Sequence, residues 1–294
     1  MKKAIDTQIV DLHMHSLYSD GQFPPEKLVE MASEYKLRYI ALTDHDTIAG
    51  VLPYQKAVKM HNEKCKSEET ITAITGVEIS AGDGGKVHIL GYGNFSKSAD
   101  FQEFLNENAI DRKYRAEQMI AKLNQHGMPL PEATIKSLSL LQSVGRPHIA
   151  NAMVEQGYVN TKQEAFEKWL LPGKPIYQPR RTIAPKEAIE QISKAGGIAV
   201  LAHPCRLNYE DTALQMFVKS LTDVGLHGIE IYHPSTKKEK LYMLKQMAKQ
   251  YNLCVTGGSD FHEKPSKLGE TGIYWQSQKE DFTVFQNIYS SNKG

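Results

Sequence analysis

The sequence has very little cysteine. Three thiols, Cys65, Cys205 and Cys254, are scattered through 294 residues with no short spacing between any two. That argues against a disulfide framework and fits a reducing compartment. Long apolar runs are also missing: nothing approaches the roughly 18 apolar residues of a membrane span. The opening Met1-Lys2-Lys3 leads into polar residues and not into the apolar stretch of a secretory signal. Charge of one sign is not in excess either. With 35 basic and 34 acidic residues the net charge is +1, so a polyanion would have to be met by a local pocket and not by a global field. There is no internal repeat and no low-complexity segment. These absences leave a cytoplasmic protein with no membrane partner and no evident obligate protein partner. Its length suits one barrel-sized domain, or one plus an insertion.

What the chain does have is concentrated in Asp11-Leu12-His13-Met14-His15-Ser16-Leu17-Tyr18-Ser19-Asp20-Gly21. On a strand, residues two apart share a face. His13 and His15 can therefore address one ion while Leu12 and Met14 face the wall behind them. Asp20 follows on a Ser-Asp-Gly loop. Taken alone, a His-x-His pair is as readily a chance pair on a core strand.

The flanking pattern alternates strands and helices, which implies a mainly parallel α/β arrangement. Strands are expected at 9–13, 39–45, 71–79, 86–92, 197–204, 228–234 and 253–262. Helices are expected at about 24–35, 46–60, 185–194, up to 222, and 237–251, several opening on proline where its missing N–H costs nothing. From about 100 to 175 the alternation stops. Helix-like segments at 111–125, 146–155 and 161–170 replace it, and Leu171-Pro172-Gly173-Lys174-Pro175 closes the region. The expected division is a barrel over 1–99 and 176–294 and a helical insertion over 100–175.

At or near the strand ends stand His13, His15, Asp20, His45, Glu78, His88, His203, Asp260 and His262. Active sites of α/β sheets form at the carboxyl ends of the strands. So many carboxylates and imidazoles in one pocket call for compensating positive charge, which two or three divalent ions would supply. Mixed imidazole and carboxylate ligation suits zinc, manganese or iron better than calcium or magnesium. Each position alone has a bland explanation as a cap or a hydrogen-bonded core histidine.

The series His-x-His-x-x-x-x-Asp-Gly, Thr-Asp-His-Asp, Gly-Val-Glu-Ile, a lone His, Ala-His-Pro and Gly-Ser-Asp-x-His resembles the PHP (polymerase and histidinol phosphatase) family from residue 11 to about 270. The resemblance implies a distorted (β/α)7 barrel with a trinuclear centre at its C-terminal mouth. It also implies that His13, His15, Glu78 and Asp260 hold one metal, Asp20, His45 and His262 a second, and Glu78, His88 and His203 the third, with Glu78 bridging. Some members have His where this chain has Asp20, which shifts the site toward harder, oxygen-favouring ions. Gly145-Arg146-Pro147-His148, Leu201 to Arg206 and Glu230 to Ser235 are most similar to one branch. It acts on nucleoside 3′,5′-bisphosphates, on AMP, and on short RNA from the 5′ end. The implied activity is metal-dependent hydrolysis of a phosphoric ester by metal-activated hydroxide, with a nucleotide or a short RNA 5′ end as substrate.

Arg146, at a helix start with Pro147, is the candidate for meeting phosphoryl charge, where a guanidinium and free backbone N–H groups would converge. The alternative is a cap or surface residue. His148 is a candidate for the same phosphate and Arg206 for a second one. His233 is a candidate proton donor to the leaving oxygen, or equally a partner of a ligand. Arg180 and Arg181 either read a nucleotide or are solvated. Two rival functions remain: a small-metabolite phosphatase, such as one for histidinol phosphate, and a non-catalytic metal-binding module.

Overall fold

A computed structural model of the chain describes residues 9–264, 266, 268–270 and 279–291. The outermost residues of the expected barrel spans, 1–8 and 292–294, the stretch 271–278 and the opening Met-Lys-Lys lie outside the described residues. The elements run β1 (Ile9–Met14), α1 (Pro25–Glu34), β2 (Leu37–Leu42), α2 (Val51–Asn62), β3 (Thr72–Ala81) and β4 (Val87–Tyr92). A helical stretch follows: α3 (Ala99–Gln125), α4 (Glu132–Leu140), α5 (Arg146–Glu155) and α6 (Lys162–Ala165), the last continuing as a wider turn over Phe166–Leu170. Alternation then resumes with α7 (Pro185–Lys194), β5 (Ile198–Leu201), α8 (Asp211–Thr222), β6 (Gly228–Tyr232), α9 (Lys238–Gln250), β7 (Cys254–Gly257) and α10 (Lys279–Ser291).

The seven strands form one sheet in sequential order. Neighbours are parallel except that β4 is antiparallel to both β3 and β5. The reason is local. Only the glycine turn at 82–86 joins β3 to β4, and a parallel return needs a crossover of a dozen or more residues. The sheet curls until its first and last strands meet at one parallel bridge, Met14 to Phe261. The fold is therefore α/β, a distorted seven-stranded barrel. Among the described residues no helix is long and apolar enough to cross a membrane.

Three apolar cores support this arrangement. The largest lies under the sheet and includes Ile89, Val200, Ile229 and Phe285. A second gathers α1, α2 and the adjoining strands around Leu28, Ile40 and Tyr54. The third lies wholly between residues 116 and 176, with Met119, Leu123, Ile149 and Met153. Helix α3 joins the first core to the third: Phe101, Phe104 and Leu105 pack with the barrel, and Met119 and Leu123 with the helical region.

The structure departs from the periodicity in four places. α3 starts at Ala99 and not near 111, with the Ser98 hydroxyl accepting the Phe101 N–H at 3.3 Å. Its stripe looked broken because Asn108, Arg112 and Arg115 occupy buried positions in phase with the apolar ones. α4 escaped notice because it buries only Leu138. α10, also unforeseen, sets Phe282, Phe285 and Tyr289 into the barrel core. α2 begins at Val51, which frees Asp46 from any helix start.

Candidate metal centre

The chain brings the metal-candidate side chains together by ending strands at the same mouth. On β1, Leu12 and Met14 are fully buried in the core, while His13 and, one residue past the strand end, His15, equally buried, face the mouth. The loop beyond returns so tightly that a Cβ on Gly21 would lie 2.3 Å from the His15 carbonyl oxygen. Likewise a Cβ on Gly258, just past β7, would lie 2.2 Å from that of His13. Only glycine allows these two loops to fold onto β1. They deliver Asp20 from one side and Asp260 and His262 from the other. His203 and Asp260 adopt left-handed backbone angles (φ 26° and 52°), strain of the kind that surroundings must over-determine.

Glu78 stands at the centre. One carboxylate oxygen lies 3.2 Å from His13 Nε2, 3.2 Å from His15 Nε2 and 3.0 Å from His45 Nδ1. The other lies 2.8 Å from His88 Nδ1 and 3.0 Å from His203 Nε2. Asp260 Oδ1 is 3.4 Å from His13 Nε2 and 3.3 Å from His15 Nε2. Asp20 Oδ1 is 3.2 Å from His262 Nε2 and 3.9 Å from His45 Nε2.

Three overlapping sets have ligand atoms within 4.8 Å of one another: His13, His15, Glu78 and Asp260; His15, Asp20, His45 and His262; and His45, Glu78 and His88. The first is the four-residue set expected from the sequence. The second gains His15. The third takes His45, with His203 beside it, 3.2 Å from His88.

These residues fit divalent cations on their own chemistry. Buried and without a hydrogen-bond partner are His13 Nε2, His15 Nε2, His45 Nδ1, Asp20 Oδ1 and Glu78 Oε2, all converging on the same space. Buried polar atoms are ordinarily satisfied, so such a convergence marks a place for an ion.

The electrostatics agree. Burial alone would raise the carboxyl pKa of Glu78, yet His88, His13 and His45 hold it well below its usual value. Burial opposes charge on His15, but Asp260 and Glu78 carry it up to about 10. For His45 burial prevails and its pKa falls to about 3.

Two buried aspartates shape the loops. Asp44 accepts the Ser16 N–H at 2.7 Å, the Ser16 hydroxyl at 2.7 Å and the Ser19 hydroxyl at 2.6 Å, fixing the loop that carries Asp20. Asp11 accepts the Ser259 N–H at 2.9 Å, its hydroxyl at 2.5 Å and the Gly269 N–H at 2.7 Å, fixing the loop that carries Asp260. Sequence reasoning missed both. The available signal was a serine within reach of each aspartate's loop.

Beside the centre, one cavity is lined on one wall by Asp20, His45 and His88 and on the other by Arg112, Arg115, Arg146 and Arg180. Of the four guanidiniums, two share one carboxylate, and Arg115 donates instead to the Gln178 carbonyl at 2.7 Å. Asp46 receives Arg112 at 2.5 and 2.8 Å and Arg180 at 3.3 Å. Arg115 Nη2 and Arg180 Nε are buried without partners. Burial and the neighbouring arginines push Arg115 down to about 10. Arg146 lies 5.9 Å above Phe166 and 6.0 Å above Tyr177 and forms no ion pair among the described residues. So much uncompensated buried positive charge calls for an anion.

The other expected substrate residues, His148 and Arg206, are not among those lining this cavity. His148 accepts the Gly145 N–H at 3.0 Å through Nδ1 and donates from Nε2 to the Ser19 carbonyl at 2.8 Å, so both nitrogens are engaged in joining the helical region to the Asp20 loop. Arg206 donates to Asp260 Oδ2 at 2.6 Å and is outside the cavity lining. His233 is fully buried behind Asp260, its Nε2 3.6 Å from Oδ2, and does not line the cavity. Of the Arg180-Arg181 pair, Arg180 faces the cavity, while Arg181 pairs at the surface with Glu107 at 2.9 Å.

Comparison with known proteins bears on the whole arrangement. The family model of the PHP domain matches residues 11–283. Over 258 residues the chain is 35% identical to a 5′-3′ exoribonuclease of Haemophilus influenzae, covering 87% of this chain and 90% of that protein. It is 30% identical to a 3′,5′-nucleoside bisphosphate phosphatase of Chromobacterium violaceum, covering 86% and 87% of the two chains. A structure described as that of a metal-dependent phosphoesterase from Bifidobacterium adolescentis superposes with a TM-score of 0.79 at 27% identity, covering 93% of this chain and 95% of that one.

Proposed function

The chain belongs to the PHP-domain family, and from that premise we propose that this metal-dependent phosphoric ester hydrolase acts on nucleotides bearing two phosphates: nucleoside 3′,5′-bisphosphates and the 5′-phosphorylated ends of short RNA. The observation that carries this reading is the single cavity with a histidine–carboxylate wall facing an arginine wall. A substrate with one phosphate would leave the arginines uncompensated. The names of the two relatives support the same pair of substrates.

The two substrates are one to the site. In both, a nucleoside 5′-phosphate carries an ester at its 3′ oxygen, and in both the P–O3′ bond breaks. With the 5′-phosphate on Arg112, Arg115, Arg146 and Arg180, the 3′ ester reaches the opposite wall whether or not a further nucleotide follows. The helical insertion over 100–175 supplies three of the four arginines, so the barrel contributes chemistry and the insertion contributes recognition. Arg146, resting on Phe166 and Tyr177, is held without a competing carboxylate.

Two or three divalent ions, manganese, zinc or iron, would be held by His13, His15, Glu78 and Asp260, by Asp20, His45 and His262, and by Glu78, His88 and His203. Such ions supply Lewis acidity and lower the pKa of bound water from 15.7 toward about 7. The chain itself keeps Asp20 and Glu78 ionised for that purpose through the surrounding imidazoles.

The test compares kcat/KM with added manganese for adenosine 3′,5′-bisphosphate, AMP, histidinol phosphate, and an RNA trinucleotide with and without its 5′-phosphate. The bisphosphate and the 5′-phosphorylated trinucleotide are expected to lead. Arg146→Ala should cost them about 1.5–3 kcal/mol, one charge-assisted contact, and leave AMP hydrolysis unchanged. Preference for histidinol phosphate, or an Arg146→Ala effect equal on all substrates, overturns the proposal.

A further inference from the structure

Glu230 belongs to none of the metal-candidate sets and does not line the cavity. It is a carboxylate in the middle of an otherwise apolar strand, Gly228-Ile229-Glu230-Ile231-Tyr232, and is fully buried. Its two oxygens are both engaged. One lies 3.0 Å from His13 Nδ1 and the other accepts the backbone N–H of His203 at 2.8 Å. An ionised carboxylate only accepts. His13 must therefore present Nδ1–H to it, which leaves Nε2 as the atom that meets Glu78 and Asp260.

We infer that Glu230 is a positioning residue that fixes the tautomer of His13 and, through the His203 backbone, sets two ligands of different metal positions with one side chain. The inference rests on the metal-centre reading above. It goes beyond a general need for negative charge because the two donors are not alike. The His203 N–H is covalently fixed as a donor. The proton of His13 can move to its other nitrogen.

The distinction makes glutamine at this position a sharper probe than alanine. In Glu230→Gln the single amide oxygen must face the His203 N–H, because turning the NH2 toward it would set donor against donor in a buried place. The NH2 then faces His13 Nδ1, which has to accept. The imidazole proton moves to Nε2, and the nitrogen meant for the cation is blocked. In Glu230→Ala no group dictates the tautomer, and His13 can still offer Nε2.

The experiment measures manganese affinity and metal content per chain, after dialysis, for the whole protein and both variants, alongside thermal melting of the metal-stripped forms. Affinity should fall in the order wild type, Glu230→Ala, Glu230→Gln, with the last reduced by about 10–100-fold, the usual effect of losing an outer partner of a ligand. The melting temperatures should show the reverse order for the variants, since alanine leaves a cavity and glutamine does not. A purely structural role would place alanine below glutamine in both measurements, and that result overturns the inference. So does metal retention equal to wild type in both variants. Wild-type protein that holds no metal at all overturns the metal-centre reading, and the inference with it.

Discussion

The two walls of the cavity are built on opposite principles. On the barrel wall, charges of both signs interleave within about hydrogen-bond distance: five imidazoles surround Glu78 alone. The ligand-bearing loops are clamped from behind by Asp11 and Asp44. On the arginine wall, only two of four guanidiniums, those of Arg112 and Arg180, meet a carboxylate, Asp46, and two buried guanidinium nitrogens have no partner. The first wall is organised to hold cations among its own groups, and the second is left unbalanced for an anion that comes from outside. Catalysis requires rigid placement of ligands. Recognition requires positive charge that the protein has not already neutralised.

The comparison can be broken most directly at Glu78. Glu78→Ala should remove metal from the protein and lower phosphate release on every substrate by more than about a hundredfold, beyond what loss of an outer partner causes. Metal analysis and a phosphate assay check it. A loss confined to 5′-phosphorylated substrates would mean that the two walls are not separate in function.

Next comes Arg112, which links the walls through Asp46. Arg112→Ala leaves a buried carboxylate with Arg180 at 3.3 Å as its remaining cationic partner. Removal of one member of a buried pair costs about 3–5 kcal/mol, and the surviving partner should keep the loss near the lower figure. Denaturant unfolding reads it, and a change under about 1 kcal/mol would show that Asp46 is carried by Arg180 and by the Ser80 N–H, which it accepts at 2.9 Å.

The finest distinction concerns protons. In the metal-free chain the carboxylates hold His13 well above its ordinary pKa and His15 at about 10, against the effect of burial, whereas His45 lies near 3. A cation binding His13 and His15 must displace protons, while at His45 it finds none. Apparent metal affinity should therefore rise with pH up to about 10, by about tenfold per pH unit for each proton released. Calorimetry in buffers of differing ionisation enthalpy counts those protons. An affinity flat from about pH 6 to 9 would place the metal away from His13 and His15.

The walls also differ in how plainly the sequence announces them. The barrel residues follow apolar strand runs, and His, Asp and Glu at such ends have few other reasons to recur. All nine metal candidates lie at one mouth. The arginine wall was only partly legible. Arg146 stood out beside Pro147, but Asp111-Arg112-Lys113-Tyr114-Arg115 reads only as the opening of a helix-like segment until α3 is known to begin at Ala99. Only then do Arg112 and Arg115 fall on its buried stripe. Asp11 and Asp44 were hidden for another reason: a carboxylate that serves backbone N–H groups is indistinguishable in sequence from one that caps a turn. His148 and Arg206 were read as phosphate contacts from their neighbours; His148 has both ring nitrogens engaged within the chain, whereas Arg206 spends one N–H on Asp260 and is half exposed.

The long helix α3 has a consequence for how freely this architecture can be rebuilt. Its first turns put Phe101, Phe104 and Leu105 into the barrel, and its last turns put Met119 and Leu123 into the helical core. The helical stretch is thus not a cassette with a clean seam. A graft cut at residues 100 and 175 would take three core side chains from the donor and leave holes in the recipient, each worth about 2–5 kcal/mol for a large apolar residue. Exchange of specificity between such proteins would have to proceed by substitution along the helix, residue by residue, with the beam left in place.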